Sequence, residues 1–218
     1  MLQFVLLPLT EAVYATNVPP GPLGTGTPAR YGLTYQDVAF RAADGVRLSA
    51  WYIPSRNGAA VVLLAGSGST RTAVLGQAAV LARQPGVQAG KIAELGESMG
   101  GEQALAAMGA DPRIRAVVAE GVEGQQYADR GWRLQDITGV IDRGVDWVQY
   151  TAAGLISGAP RPMSIPDAIR AAALRPVLIV AGGTVASEPV AARWFRAASP
   201  ATVQVWVVPH AGTELTYH

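Results

Sequence analysis

An α/β fold built on a mainly parallel sheet is predicted by the order of apolar and helical segments along the chain. Two continuous apolar runs, AAVVLLAG (59–66) and PVLIVAGG (176–183), have the pattern of strands buried on both faces. Segments with helical periodicity alternate with these runs and with shorter strand-like stretches. Such alternation is typical of a parallel sheet flanked by helices.

Length and composition fit one ordinary domain. The chain has 218 residues, of which 50% are hydrophobic, and this suffices for a sizeable core. Its net charge is +1 and no basic stripe stands out, which argues against a nucleic-acid partner. It contains no cysteine, which excludes disulfides, cysteine-ligated zinc and thiol nucleophiles but leaves the cellular compartment open.

The first 30 residues divide into an apolar segment and a linker. The apolar run beginning at Leu2 is broken by Pro8, so it is too short for a membrane span, which needs about 20 residues. It also lacks the basic start of a signal peptide. Two interpretations remain open: a frayed or docked end, or the tail of a membrane anchor whose start is absent. Residues 17–30 (NVPPGPLGTGTPAR) have linker composition, so the α/β domain is predicted to span 31–218.

The elements of that domain follow in order. A hairpin is predicted from two strand-like runs joined by a turn that ends in Asp44-Gly45. The runs are TYQDVAF (34–40) and VRLSAWYIP (46–54). Helices are predicted over 70–84, from the turn at 98 to about Gly109, and over 188–198, and further strands over 91–95, 113–121 and 202–209.

Residues 122–172 interrupt the alternation. Apolar residues recur there at helical spacing, with charged residues on the other side, and Trp132, Trp147 and Tyr150 lie in the same region. The apolar set is Ile137, Val140, Ile141, Val145 and Val148, and the charged set is Asp136, Asp142, Arg143 and Asp146. We interpret the region as an inserted helical cap, with ordinary packing helices as the alternative.

The motif Gly96-Glu97-Ser98-Met99-Gly100 stands where a predicted strand meets a predicted helix. A serine on such a strained turn is lifted above the sheet, and glycine is needed two residues either side because side chains there would collide with the turn. Ser98 is therefore a candidate nucleophile. The Met99 N–H, at the start of the helix, is a candidate oxyanion donor, and the second donor is predicted from the loop after strand 59–66, at Ser67 or Gly66.

From these motifs the chain resembles the α/β-hydrolases. The stretches that carry the resemblance are DGVRLSAWYIPS, VVLLAGSGST, GESMGGEQALAA, DPRIRAVVAEG, RPVLIVAGG and VWVVP, within residues 31–212. The chain is most similar to the serine hydrolases that include dienelactone-hydrolase-like and prolyl-oligopeptidase-like enzymes. The resemblance implies a serine–acid–histidine triad in that chain order and hydrolysis through an acyl-enzyme, with no metal or organic cofactor.

The sequence departs from the family pattern at three site positions. Ala65 stands where the oxyanion loop usually begins with histidine. Thr184 stands at the common position of the acid, so Glu188 is the nearest carboxylate, with Glu120 and Glu123 after the preceding strand as further candidates. The alternative role for Glu188 is to complement the dipole of its own helix.

The family histidine would fall near Thr213, where the sequence has none. His210 is the candidate base, His218 is the second candidate, and a third reading is that neither serves.

Two units of the family fold are also predicted to be lacking. A strand and helix usually lie between the helix at 70–84 and the strand before Ser98, and a last helix usually follows the last strand. Their loss removes cover from the sheet, so reduced stability or homodimerisation through an exposed edge is expected.

The leading functional hypothesis is an esterase-type serine hydrolase. A small-molecule acyl substrate, with an apolar acyl or aromatic group, would lie under the 122–172 segment. The alternative is a non-catalytic or truncated relative without a working triad. Nucleotide binding by Gly66-Ser67-Gly68 is disfavoured because Arg71 stands where the dinucleotide fingerprint needs a small residue, and the Lys-Ser/Thr pair of a phosphate loop is absent.

Overall fold

The computed structural model describes residues 2–17, 21–42, 44–55, 58–81, 92–134 and 137–212. Within these residues, five parallel strands form one sheet and two antiparallel strands form a separate hairpin. The predicted α/β class and the predicted hairpin are both confirmed.

The strands follow the predicted order with small changes of boundary. The hairpin consists of β1 (Gln36–Arg41) and β2 (Arg47–Tyr52), with Gln36 opposite Tyr52. The parallel sheet has the sequential order β3 (Ala60–Leu64), β4 (Ile92–Glu97), β5 (Ile114–Glu120), β6 (Val177–Gly182) and β7 (Val203–Val208). Because β3 pairs directly with β4, the described residues contain no strand in the place of the predicted missing unit.

Six α-helices and two 3₁₀ segments accompany the strands in the described part of the chain. The α-helices are α1 (Leu2–Thr16), α2 (Leu75–Leu81), α3 (Met99–Ala110), α4 (Ile137–Ser157), α5 (Ile165–Ala171) and α6 (Ser187–Arg196), and the 3₁₀ segments are Pro28–Tyr31 and Tyr127–Arg133. The helix predicted over 70–84 is shorter at its start, where residues 71–74 form turns, and residues 82–84 lie outside the described residues.

The main core lies between one face of the parallel sheet and helices α3, α5 and α6. Leu105 and Met108 of α3, Ile169 of α5 and Phe195 of α6 are at most 1% exposed. They pack with alternate residues of β5, β6 and β7, as the two-residue period of a strand requires. Burial of these side chains supplies the main driving force for packing α3, α5 and α6 against the sheet.

The other face of the sheet is less well covered. Trp206 in β7 is 57% exposed on this face, and in β3 the successive residues Val61 and Val62, whose side chains point to opposite faces, are both exposed. The prediction that the 59–66 strand is buried on both faces is therefore wrong. The physical reason is that β3 is an edge strand with β4 as its single partner in the described sheet.

Helix α1 packs along α4, which identifies the N-terminal segment as a docked helix. Pro8 and Ala12 are buried there, while Phe4, Leu7 and Tyr14 are exposed. Of the helices in the described ranges, none is both long enough and apolar enough to cross a membrane.

The segment 122–172 contains helices of two kinds. Helix α4 packs on α1 and on the 3₁₀ segment, whereas α5 packs on α3 and contributes to the main core. The amphipathic pattern of α4 is not used as expected: Ile137, Val140 and Ile141 are exposed, while Asp146 is buried and pairs with Arg133. The contacts of α4 with α1 and with residues 127–133, rather than the apolar pattern of α4 alone, decide which α4 side chains are buried.

Helices α3 and α5 approach closely at Gly109. A Cβ on Gly109 would lie 2.7 Å from Ala168 Cα and 2.8 Å from Ala168 Cβ.

Gly109→Ala is therefore expected to lower the free energy of unfolding by about 1–3 kcal/mol through overpacking. Gly144→Ala is the matched control, because Gly144 in α4 has nothing within 4 Å of its added Cβ. It should raise stability by about 0.5–1 kcal/mol. Urea unfolding of both variants measures this, and a Gly109→Ala protein as stable as the wild type would contradict the packing.

Strand β4 carries a buried acid, Glu94, which is 8% exposed and whose Oε2 has no hydrogen-bond partner among the described residues. Burial raises the pKa of Glu94 to about 7, and the nearby Asp111 carboxylate adds to the increase. A carboxyl whose pKa is raised by folding binds its proton more tightly in the folded state. Its contribution to stability is thus full below the unfolded pKa of 4.5 and is lost as pH rises through 7.

Glu94→Gln should remove part of this pH dependence. Between pH 4.5 and pH 8 the wild type is expected to lose roughly 1–3 kcal/mol more stability than the Gln variant. Urea unfolding at both pH values measures the difference. Parallel losses in the two proteins would show that Glu94 does not titrate in this range.

Candidate active site

Ser98 lies on a sharp turn between β4 and α3. Its backbone angles are φ 50° and ψ −120°, a region that residues other than glycine rarely adopt. The turn is held from both sides: the Ser98 N–H donates to Glu120 O at 2.7 Å, and Ser98 O accepts the N–H groups of Gly101 and Glu102. The structure thus has the strained strand-to-helix junction that the motif predicts.

The two glycines of the motif permit close backbone contacts. A Cβ on Gly96 would overlap Gly100 O, and a Cβ on Gly100 would overlap Leu64 O and lie 2.8 Å from Ala65 O. Leu64 and Ala65 are the end of β3 and the start of its following loop. Glycine at both positions is therefore needed to bring α3 against β3 and the turn.

The loop after β3 lies beside the serine. A Cβ on Gly66 would be 3.3 Å from Ser98 Cβ, and Ser67 lines the same cavity as Ser98 and Met99. Met99 is the first residue of α3, and N–H groups in the first turn of a helix have no partner inside the helix. The candidate donors Met99, Ser67 and Gly66 are thus all adjacent to Ser98.

Ser98 faces a cavity of about 990 Å³. Its walls come from the first turn of α3, the loop after β5, the 3₁₀ segment, α4 and the loop between α4 and α5. The main side chains on these walls are Glu102, Gln103, Glu123, Gln125, Tyr127, Arg130, Trp147, Tyr150 and Arg161. The cavity therefore combines aromatic surface with several charged and amide groups.

A polar network centred on Glu123 and Arg130 stabilises the cavity wall that is formed by the loop after β5. Arg130 Nη1 lies 3.2 Å from Glu123 Oε2, and its Nη2 lies 3.1 Å from the Tyr150 hydroxyl. That hydroxyl donates to Gly124 O at 3.2 Å, and Ser187 Oγ donates to Glu123 Oε1. The network joins the loop after β5 to α4 and to the first turn of α6.

Two further carboxyls lie close to the serine turn. Glu102, one helical turn after Ser98, accepts the Gly124 N–H at 2.7 Å and the Glu123 N–H at 3.3 Å. Burial raises the pKa of Glu102, and the Gly124 hydrogen bond opposes that increase. Glu120 is 1% exposed, and burial together with the neighbouring Glu97 carboxylate raises its pKa to about 7.

Glu188, the candidate acid, lies in the first turn of α6 and lines the same cavity as Ser98. It is 2% exposed, and its Oε2 accepts the Gly182 N–H at 2.6 Å. Its carboxylate is therefore engaged at the end of β6. Thr184, at the family's usual acid position, donates its hydroxyl to Ala211 O at 2.8 Å.

His210 follows β7 on an exposed turn and is not among the residues that line the Ser98 cavity. Its loop runs against residues 182–184, where Gly183 N donates to Val208 O at 2.8 Å and Thr184 N donates to Ala211 O at 3.1 Å. Among the described residues, the structure thus brings Ser98, Met99, Ser67 and Glu188 to one cavity and leaves His210 outside its lining. His218 and Thr213 lie outside the described residues.

Several cavity residues carried no recognisable motif in the sequence. Glu102 was detectable only as the residue one helical turn beyond Ser98, and Arg130 and Arg161 had no spacing that marked them. Within the described ranges, no cluster of three or more histidine or acidic side chains is arranged to hold a metal ion.

Comparison with known proteins gives a match in structure alone. No protein-family model matches the chain, and no curated protein matches its sequence. An esterase of Pyrococcus furiosus is 18% identical, with 90% of each chain covered and a TM-score of 0.61.

Two other solved structures are similar over most of this chain. The esterase domain of a Rhodothermus marinus protein is 16% identical, with 80% of this chain and 88% of that chain covered and a TM-score of 0.52. An acylaminoacyl peptidase of Pyrococcus horikoshii is 11% identical, with 83% of this chain but 38% of that chain covered and a TM-score of 0.50.

These likenesses agree with the strand order, the hairpin and the sheet-flanking helices described above. The chain therefore has the α/β-hydrolase fold, in a shortened form.

Proposed function

We propose that the protein is an esterase-type serine hydrolase in which Ser98 forms an acyl-enzyme. The observation that carries the proposal is the backbone at Ser98, with φ 50° at a strand-to-helix junction that faces a cavity of about 990 Å³. A non-glycine residue is held in such a conformation only where its surroundings over-determine it, and such residues cluster at active sites. Hydrolases of the same fold support the reaction class.

In the proposed reaction Ser98 Oγ attacks the acyl carbon of an ester and passes its proton to a general base. The carbonyl oxygen becomes an oxyanion, which accepts hydrogen bonds from the Met99 N–H and from the N–H of Ser67 or Gly66. The bond to the leaving alcohol then breaks, and the base returns the proton to that alcohol. Water repeats the sequence on the acyl-enzyme, releasing the acid and restoring the serine.

We assign His210 as the base and Glu188 as the carboxylate that orients its imidazole. Both follow the carboxyl ends of strands in the same parallel sheet as Ser98, and Glu188 shares a cavity with the serine. The loop after β7, which carries His210, contacts the end of β6. In the sheet, β6 lies on the side of β7 that faces β4, the strand before Ser98. His218 is the alternative base, and variants of each histidine separate the two.

The cavity supports a small acyl substrate with an apolar or aromatic part. Trp147, which is 56% exposed, and Tyr127 provide aromatic surface on its walls. Cavities of this volume suit drug-sized ligands rather than polymers.

The second candidate is a non-catalytic relative with the same fold. The exposed position of His210 and the existing hydrogen bond from Gly182 to Glu188 favour this candidate. The two candidates differ in whether the Ser98 hydroxyl is activated as a nucleophile.

Fluorophosphonate labelling tests the nucleophile. We expect one adduct per chain, located at Ser98 by mass spectrometry of peptides, because the reagent reacts with activated serines. Ser98→Ala should abolish labelling and lower kcat on p-nitrophenyl butyrate by at least about 10³-fold. Ser49→Ala is the matched control, since Ser49 is exposed on the hairpin strand β2, and it should label normally. A folded wild-type protein that stays unlabelled would establish the non-catalytic alternative.

Paired histidine variants test the base. His210→Ala should lower kcat by about 10³-fold or more, while His218→Ala should change it by less than about two-fold. Glu188→Gln should lower kcat by about 10²–10⁴-fold and still fold, because the amide oxygen can accept the Gly182 N–H. Steady-state kinetics on p-nitrophenyl butyrate measure all three variants. A large loss in His218→Ala, with little change in His210→Ala, would show that the assignment of the base is wrong.

A further inference from the structure

The charged side chains that line the Ser98 cavity differ in whether they have hydrogen-bond or ion-pair partners. Glu102 accepts two backbone N–H groups, Glu123 is paired with Arg130, and Glu188 accepts the Gly182 N–H. Arg161 also lines this cavity, yet within the ranges that the structure describes it has no ion pair and no hydrogen bond. Arg161 is therefore an exposed cation at the cavity wall, without an anionic partner among the described residues.

The backbone on either side of Arg161 is firmly placed. Arg161 stands between Pro160 and Pro162, whose rings restrict the backbone. Gln126 Nε2 donates to Pro162 O at 2.9 Å, and the Ile165 N–H donates to the buried Asp129 at 2.7 Å. These contacts tie the loop between α4 and α5 to the wall that follows β5.

The Arg161 side chain lies beside α4. A Cβ on Gly154 would be 3.8 Å from Arg161 Nε, and Gly154 is itself part of the cavity lining. The side chain therefore lies along the wall that Trp147 and Tyr150 also form. A substrate that occupies this cavity and carries an anion would meet the guanidinium there.

We propose that Arg161 binds a carboxylate of the substrate, so that the preferred substrates are hemiesters of dicarboxylic acids. A guanidinium binds a carboxylate with two parallel hydrogen bonds, an arrangement that gives both energy and direction. The inference rests on the proposed esterase function of Ser98, and it adds the chemical class of the acyl group.

The experiment compares two series of p-nitrophenyl esters. One series comprises the hemiesters of succinic, glutaric, adipic and suberic acids, and the other comprises neutral esters of matched chain length that end in a methyl group. In the wild type, at least one hemiester should have a kcat/KM about 10-fold or more above its neutral counterpart. In Arg161→Ala this ratio should fall about 10-fold or more, and Arg161→Lys should keep part of it.

Arg115→Ala serves as the matched control, because Arg115 is exposed near the amino end of β5, opposite the edge that carries Ser98. It should leave the ratio unchanged. Hydrolysis of neutral esters without preference for any hemiester, or a ratio unaffected by Arg161→Ala, would overturn the inference while the esterase function stands. Failure to hydrolyse either series, together with absence of fluorophosphonate labelling, would instead overturn the esterase function and this inference with it.

Discussion

The geometry of the candidate site is set by the close approach of three backbone segments around Ser98. The end of β3, the end of β4 and the first turn of α3 meet where the added Cβ atoms of Gly96 and Gly100 would overlap neighbouring backbone. This packing leaves Ser98 at φ 50°, with its N–H bonded to β5. Contacts on both sides thus hold the strained residue in place at the wall of the cavity.

The cavity above the turn is assembled by polar contacts rather than by the main apolar core. Glu102 joins α3 to the loop after β5, and Glu123 joins that loop to Arg130 and to Ser187 at the start of α6. Buried polar groups in such a network are costly unless they are satisfied, so the network favours one arrangement of the walls. Glu188, the candidate acid, follows Ser187 directly in the chain and is held separately by the Gly182 N–H.

The sequence predicted the α/β class, the hairpin and the strand-to-helix turn at Ser98 because strand period, glycine positions and capping are local properties. The predictions from sequence were wrong where contacts between distant segments of the chain determine which side chains are buried. Val61 and Val62 looked like residues of a central strand but are exposed on an edge, and the apolar Ile137 and Val140 of α4 face outward. Arg130 and Arg161 were not identifiable, since their place on the cavity depends on how the loops fold over the sheet. The role of His210 stays a prediction, and so does that of Glu188.

A crystal structure of the phosphonylated protein would show whether Ser98 is the nucleophile, because it locates the modified side chain and the phosphoryl oxygen that mimics the oxyanion. We expect phosphorus bonded to Ser98 Oγ, with the phosphoryl oxygen about 2.7–3.1 Å from the Met99 nitrogen and from the nitrogen of Ser67 or Gly66. A phosphoryl oxygen that points into solvent, or an adduct on another side chain, would contradict it.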